Sequence, residues 1–137
     1  MSSSMIPVPK ANAMLICDYV ITEHETGKKS LIGIFETISA GLFPVIHHAL
    51  SVYVKLTDAN GNYRFQLDLV DLQNDRILTK CEIPNELKIT NPLKSSELVF
   101  NLHGLKFPHS GEYEFRIYSN GRIFGQKTFL VSESKKA

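Results

Sequence analysis

The stretch Glu112–Val131, EYEFRIYSNGRIFGQKTFLV, decides the fold class of this chain. Apolar and polar residues alternate from Glu112 to Tyr118, which is the period of a half-buried β-strand. Asn120-Gly121 follows, and an Asn-Gly pair between two such segments is a strong short-range indication of a β-hairpin. Another β-type segment runs from Ile123 to Val131. The stretch therefore predicts two antiparallel strands joined by a tight turn.

The same pattern of strands and turns covers the rest of the chain. Gly27 and Asn60-Gly61 each predict a hairpin between their flanking segments, and Lys80 and Glu82 are typical of an edge strand. No stretch keeps apolar residues at helical spacing for three turns. About eight short strands with regular turns predict an all-β sandwich or barrel, and we favour the sandwich. The upstream segments are Met14–Ile21, Ser30–Ile38, Leu50–Thr57, Tyr63–Val70, Ile77–Ile83 and Leu98–Leu102.

Length and terminal composition predict one domain. The chain has 137 residues, a common size for a single domain. We expect a flexible N-terminal tail at residues 1–11, one sandwich domain at residues 12–131 and a C-terminal tail at residues 132–137. The N-terminus lacks the basic and long apolar segments of a secretory signal, and the apolar runs are too short to span a bilayer. These features predict a cytoplasmic protein that has no membrane partner.

Charge and cysteine content narrow the expected partners. Fifteen Lys and Arg residues against fourteen Asp and Glu residues give a net charge of +1, with the two signs mixed along the chain. Phosphate backbones require a concentrated positive field, so nucleic acid is not an expected partner. In a reducing compartment we expect Cys17 and Cys81 to be free, partly buried thiols, and a disulfide between them is the alternative.

The segment Ser110–Phe115 resembles the tyrosine corner of immunoglobulin-like domains, with Phe115 where those domains often carry their second cysteine. Phe107-Pro108 and Asn120-Gly121 fit the E-to-F loop and the F-to-G hairpin of that architecture. The chain has no Trp, and its cysteines do not occupy the antibody disulfide positions. The resemblance therefore implies an immunoglobulin-like antiparallel β-sandwich that is not of the antibody type.

Three further segments resemble a family of small bacterial proteins of unknown function. They are Cys17–Val20, Ser30–Phe35 and Gly111–Phe115, and the likeness runs from about Asn12 to Val131. The motifs are structural in character. The resemblance implies a small β-sandwich and carries no activity or site residue to this chain.

Catalytic and metal-binding motifs are not visible in the sequence. It contains no nucleophile elbow, phosphate-binding glycine loop or dinucleotide fingerprint, so we predict no enzyme, no catalytic residue and no cofactor. Adjacent His47 and His48 would point to opposite faces of a strand, so a metal site is not our primary prediction. The acidic group Asp68, Asp71 and Asp75 is interpreted as solvated carboxylates. The remaining histidines are His24, His103 and His109.

The most informative unusual segment is Gly41–His48, an apolar connection where a polar loop is expected. In one interpretation Leu42, Phe43, Val45 and Ile46 cross between the sheets and close one end of the core. In the other they form an exposed patch that binds another protein. Secondary candidates are the loop Pro84–Ser96, with a short strand around Leu87–Ile89, and the exposed tyrosines Tyr53 and Tyr118.

Two functional hypotheses follow. The first is a non-enzymatic binding or structural module that engages a protein partner, or itself, through a sheet edge or through Leu42, Phe43, Val45 and Ile46. The alternative is a small-ligand or metal-binding sandwich whose histidines, His47 and His48 with His103 or His109, line a pocket at one end.

Overall fold

The computed structural model describes residues 6–134, and all the regular secondary structure in that range is β-strand. Residues 6–134 contain eleven strands rather than the eight predicted, because two predicted strands each divide in two and the short strand around Leu87–Ile89 forms. The strands are β1 (Lys10–Thr22), β2 (Lys29–Ile34), β3 (Thr37–Ala40), β4 (Val45–Thr57), β5 (Gly61–Tyr63), β6 (Phe65–Asp71), β7 (Arg76–Glu82), β8 (Leu87–Ile89), β9 (Ser96–Phe107), β10 (Gly111–Ser119) and β11 (Arg122–Glu133).

The strands form two sheets and one short ribbon. The first sheet has the order β2-β1-β4-β9, and the second has the order β3-β11-β10-β6-β7. β5 and β8 pair only with each other. All neighbouring strands in the described residues are antiparallel except β3 and β11, which run parallel.

This strand order, which the sequence did not predict, is that of an immunoglobulin-like sandwich and confirms the predicted fold class. β1, β4 and β9 occupy the positions of strands A, B and E, while β6, β10 and β11 occupy those of C, F and G. β7 extends the second sheet at the position next to strand C. It is an edge strand, which confirms the prediction from Lys80 and Glu82.

The two Asn-Gly pairs have different outcomes. Asn120 and Gly121 both take positive φ and join β10 to β11, so that hairpin is confirmed. The hairpin predicted at Asn60-Gly61 is wrong, because β4 lies in the first sheet and β6 in the second. The connection crosses the sandwich instead, since the apolar faces of these two strands face each other across the core. Gly61 begins β5 and pairs with Ile89 of the ribbon.

The core lies between the sheets and contains side chains from both. Alternate residues of β4 and β6 belong to the core, as the sequence predicts. Ser51, Tyr53 and Asp68 on the opposite faces are also buried, so the wet faces predicted from the alternation are wrong there. Aromatic rings from β9, β10 and β11 pack edge-on or stacked. The ring centroids of Phe107 and Tyr113 are 4.9 Å apart, and those of Phe115 and Phe129 are 5.1 Å apart. The fully buried large side chains are Ile16, Leu50, Val52, Leu56, Tyr63, Phe65, Leu67, Leu69, Phe107, Tyr113, Phe115 and Ile117.

The sandwich extends beyond its predicted boundaries. β1 begins at Lys10 and β11 ends at Glu133, so both strands include residues that we assigned to tails. Upstream of β1, the Tyr63 hydroxyl donates to the carbonyl of Pro7 at 2.6 Å, and Ile6 packs against the core. The outer parts of the predicted tails, residues 1–5 and 135–137, lie outside the described residues.

Two other expectations concern the cysteines and the membrane. Cys17 is buried and Cys81 is half-buried. Both thiols are free, which is the first of the two alternatives that we gave for them. In residues 6–134 there is no helix with the length and apolarity needed to cross a bilayer.

Candidate functional site

The predicted apolar connection is shorter than the sequence indicated. β3 ends at Ala40 and β4 begins at Val45, so only residues 41–44 form a turn, and Val45 to His48 belong to a strand. β4 pairs with β9 from its first residue, with Val45 opposite Phe107 and Ile46 opposite Lys106. The segment passes from the second sheet to the first and thereby spans one end of the sandwich.

The four candidate residues divide into two pairs. Phe43 and Val45 are half-buried and pack against the core, as the first interpretation requires. Leu42 and Ile46 point outward, and they are 85% and 67% exposed. Alternation along β4 explains why Val45 and Ile46 differ, because successive side chains of a strand point to opposite faces. Only Leu42 and Ile46 are therefore available to a partner.

A shallow groove adjoins Leu42. Its volume is about 850 Å³, and Ala40, Leu42 and Val45 give it apolar walls. Glu133 at the end of β11 supplies a carboxylate at its rim. We call Leu42, Ile46 and this groove the β3–β4 surface. The remaining lining residues are Ser39, Gly41 and Ser134.

The histidines do not converge on one site. The ring centroids of His47 and Phe35 are 6.0 Å apart. His47 and Asp18 also line a separate groove of about 410 Å³. His48 and His103 are exposed. His109 is engaged with Asp71 near the start of β10. Within residues 6–134, no group of three or more His, Cys, Asp or Glu side chains is arranged to hold a metal ion.

The best-organised polar cluster is the contact between Asp71 and His109. His109 Nε2 lies 2.7 Å from Asp71 Oδ2, and His109 Nδ1 lies 2.8 Å from the carbonyl of Ser110. Asn74 donates its side-chain amide to the same Asp71 oxygen at 3.1 Å, and the Gln73 backbone N–H donates to the other oxygen at 3.0 Å. The cluster joins the turn after β6 to the loop before β10.

The charge states in this cluster follow from its hydrogen bonds. The bond to the Ser110 carbonyl, followed by the bond to Asp71, raises the pKa of His109. Burial by itself would raise the pKa of Asp71, but hydrogen bonds from His109 and Asn74 outweigh burial and lower it. Both ring nitrogens of a protonated histidine are donors, and both face an acceptor here. The geometry is that of an imidazolium–carboxylate ion pair.

This ion pair lies beside a buried tyrosine. The Tyr113 hydroxyl donates to the carbonyl of His109 at 2.6 Å, and the two rings stack with their centroids 5.5 Å apart. Burial is the main factor that raises the pKa of Tyr113 above its ordinary value. Since these hydrogen bonds occupy both ring nitrogens and the hydroxyl, the arrangement can hold two loops together but presents no free base or nucleophile.

The other acidic and aromatic candidates also have local partners. Asp68 is buried and accepts a hydrogen bond from Gln66 at 2.7 Å. Asp71 is buried as well, so the interpretation of this group as solvated carboxylates is wrong for Asp68 and Asp71. Asp75 is exposed and takes a positive φ in the turn after Asn74. Tyr53 was predicted to be exposed but is buried, and its hydroxyl donates to Glu97. Burial, followed by this hydrogen bond, raises the pKa of Tyr53 to about 12. Tyr118 is half-buried.

The sequence analysis missed an exposed apolar group on the β1–β2 hairpin. Tyr19, Ile21, Ile32 and Ile34 are all at least one-third exposed. Tyr19 lies opposite Ile32 in the strand register. The alternation in each segment resembled that of any half-buried strand, so the sequence offered no separate indication of this group. The fact that β2 is an edge strand distinguishes it.

One protein family matches the chain over most of its length. The family is described as a family of unknown function, DUF6941, and its model matches residues 12–132. No curated protein matches the chain.

Several solved structures resemble the chain in fold. The alkylpurine DNA glycosylase AlkC of Pseudomonas fluorescens, bound to DNA containing an abasic site analog, has a TM-score of 0.56 at 9% identity, over 90% of this chain and 30% of that one. A β-glucosidase of Listeria innocua with glucose has a TM-score of 0.51 at 12% identity, over 93% and 16% of the two chains. An immunoglobulin-like protein of Pseudomonas aeruginosa has a TM-score of 0.43 at 13% identity, over 90% and 95%. The chain spans less than a third of the glycosylase and of the glucosidase, and at these identities the two likenesses concern the fold alone.

Proposed function

The chain belongs to DUF6941, a family of unknown function, and we propose that it is a non-enzymatic binding module that engages a protein partner through the β3–β4 surface. The observation that carries this proposal is the exposure of Leu42 in the wall of an apolar groove. Ile46, which begins the outward face of β4, is the second exposed apolar side chain of this segment. A turn between sheets needs no exposed leucine, because Phe43 and Val45 already pack on the core from the same segment. An exposed apolar side chain that continues into an apolar groove is typical of protein-binding sites.

The composition of the surface favours a protein over a small ligand. The groove is open, and its walls combine aliphatic side chains with the Glu133 carboxylate at the rim. An apolar centre with a charged rim is the usual anatomy of a protein interface. We expect the partner to present an apolar side chain to Leu42 and a positive group near Glu133.

The ligand or metal alternative has less support. Of its candidate residues, His109 is engaged with Asp71 and the Ser110 carbonyl, and His47 packs near Phe35. His48 and His103 are exposed. In the described part of the chain these histidines do not assemble a group of three metal ligands.

We also infer a structural role for Tyr113 and a cytoplasmic location. The hydrogen bond from the Tyr113 hydroxyl to the backbone of His109, four residues upstream, has the geometry of a tyrosine corner. The free thiols of Cys17 and Cys81 support a reducing compartment, where disulfides are rare.

Affinity capture tests the β3–β4 surface. Tagged chain, immobilised at equal amounts, is exposed to an extract of its own source cells, and bound proteins are quantified by mass spectrometry. Leu42→Asp should reduce a specific partner about tenfold or more, because a charge in the centre of an apolar interface removes its main contact. Leu93→Asp is the matched control, since Leu93 is 90% exposed in a different loop.

The folding of both variants is checked by thermal unfolding before capture. A partner retained by the wild type and by Leu93→Asp, but lost by Leu42→Asp, supports the proposal. Equal retention by all three proteins places the binding site elsewhere and overturns the assignment of this surface.

A further inference from the structure

The edges of the two sheets are protected to different degrees. β7 carries Arg76, Lys80 and Glu82, and β3 is only four residues long. β9, the other edge of the first sheet, carries Glu97 and Lys106 among its outward residues. Charges and short length are the usual protection of an edge strand against pairing with another chain. β2, with the sequence KSLIGI, has a single charge at its first residue and is the least protected edge.

The backbone of β2 has groups available for pairing. The β1–β2 hairpin closes with a hydrogen bond from the Glu23 N–H to the Lys28 carbonyl at 2.8 Å. In an antiparallel pair, hydrogen-bonded and non-hydrogen-bonded positions alternate. Ser30 therefore directs its backbone groups toward β1, whereas Lys29 and Leu31 direct theirs away from it. β2 is at the edge, so these outward groups have no neighbouring strand in the described residues.

The side chains around this edge are apolar on one face. Tyr19 and Ile32 lie directly opposite each other, and Ile21 lies opposite Ser30. Directly opposite residues share a face of the sheet, so Tyr19, Ile21 and Ile32 form one exposed apolar cluster. Tyr19 and Ile21 are each about half exposed. A strand placed beside β2 would contact Ile32 from the side and extend this apolar face of the sheet, while Tyr19 and Ile21 of β1 would stay exposed.

The charges at the edge are self-complementary. Asp18 packs so closely against Gly33 that a Cβ at Gly33 would overlap its carboxylate. Lys29 lies at the other end of β2, on the same face as Asp18 by strand alternation. If two copies of β2 pair antiparallel about Leu31, Lys29 of each copy lies opposite Gly33 of the other, beside its Asp18. That register forms two identical Lys29–Asp18 pairs, whereas a shift by one residue in either direction forms none.

We propose that β2 pairs antiparallel with β2 of a second copy about a two-fold axis at Leu31, joining the first sheets of two protomers into one continuous sheet. This inference goes beyond the proposed function and uses a different surface. The dimer satisfies the outward backbone groups of Leu31 reciprocally, places each Ile32 opposite Ser30 of the other copy, and pairs each Lys29 with an Asp18. A two-fold contact of this kind is isologous and closes at two copies.

Sedimentation equilibrium of the full chain over a range of concentrations tests the dimer. The wild type should show a concentration-dependent monomer–dimer equilibrium. Leu31→Pro should abolish it, because proline removes an outward N–H, and an edge strand tolerates proline where no ladder bond within the molecule is lost. Leu31→Ala is the control that loses the same side chain but keeps the N–H, and it should still dimerise.

Charge exchange tests the register without changing the backbone. Lys29→Asp and Asp18→Lys should each weaken dimerisation about tenfold, because each replaces two attractive contacts by two repulsive ones. The double variant, and an equimolar mixture of the two single variants, should each recover dimerisation to near the wild-type level. Recovery in the mixture is specific to contacts between chains.

A wild type that remains monomeric at millimolar concentration overturns the inference. A dimer that persists in Leu31→Pro, or that is indifferent to both charge variants, overturns it as well. If Leu31→Pro fails to fold, the charge-exchange series decides alone. Loss of the dimer leaves Leu42 and its partner capture unchanged, so this inference and the proposed function fail separately.

Discussion

At the scale of single residues, His109 has hydrogen-bond partners at both of its ring nitrogens. Its side chain is 25% exposed, whereas that of its partner Asp71 is only 1% exposed. The ring contributes to stability mainly when it is charged, since only the imidazolium donates to both Ser110 and Asp71. Stability should therefore depend on pH through this one pair.

The sign follows from the direction of each pKa shift. The pKa of His109 is raised in the folded state, so its contribution is complete below about 6.5, the unfolded value, and is lost as pH rises through the folded value. The pKa of Asp71 is lowered, so its contribution is complete above the unfolded value of 3.8 and is lost as pH falls through the folded value. The pair stabilises the fold fully only between these two limits.

We predict that the free energy of unfolding, measured by urea denaturation, falls between about pH 5.5 and about pH 8.5. His109→Gln should lower stability by about 1 to 3 kcal/mol at the lower pH and remove most of this fall, because it cannot form the charged hydrogen bonds. His24→Gln is the control, since His24 is exposed in the turn after β1. A fall of unchanged size in His109→Gln would show that another group causes the pH dependence.

The contact between Asp71 and His109 could not be predicted from the sequence. Asp71 and His109 are separated by 38 positions, and neither lies in a motif with the other. Residue types and turn positions were visible, and Tyr113 could be placed at the start of its strand from local pattern alone. The contact itself depends on the packing of β6 against β10, which local sequence does not encode.

At the scale of strands and turns, the turn residues predicted where the chain reverses better than they predicted which strands pair. Asn120-Gly121 and Asn60-Gly61 have the same dipeptide, yet only the first joins adjacent strands of one sheet. A turn determines that the chain reverses, whereas the sheet that receives the next strand depends on which apolar faces must meet. The division of the predicted strand Ser30–Ile38 has the same origin, because β2 and β3 belong to different sheets.

Gly33 and Gly104 form a matched pair for a prediction about strand geometry. Both have positive φ, +70 and +63, but an added Cβ would overlap Asp18 at Gly33 and meets nothing within 4 Å at Gly104. Gly104→Ala should cost about 1 to 2 kcal/mol of unfolding free energy from backbone strain. Gly33→Ala should cost about 1 kcal/mol more, because the Asp18 carboxylate must also move.

Urea denaturation at a concentration where the chain is monomeric measures both substitutions. In an Asp18→Ala background the extra cost at Gly33 should disappear, whereas the cost at Gly104 should stay the same. If Gly33→Ala and Gly104→Ala are equally destabilising in the wild-type background, close packing of Asp18 does not constrain β2.

At the scale of the whole molecule, the proposed partner-binding surface and the proposed dimer surface lie on different parts of the sandwich. The β3–β4 surface lies at the end where the chain crosses between sheets, and the β2 edge lies at the side of the first sheet. The all-β class and the immunoglobulin-like fold could be predicted because alternation and the Ser110–Phe115 segment are local features, whereas the strand order could not. Which of Leu42, Phe43, Val45 and Ile46 face outward could not be predicted, since the start of β4 at Val45 decides it.

Hydrogen–deuterium exchange tests the β3–β4 surface most directly, because it locates a bound partner without any substitution. The chain is compared alone and with the partner that it captures, at a concentration where the chain is monomeric. We predict slower exchange in residues 39–46 and 132–134 on binding, with the β7 edge unchanged. Protection confined to other strands, with residues 39–46 exchanging at the same rate in both samples, would contradict the assignment of this surface.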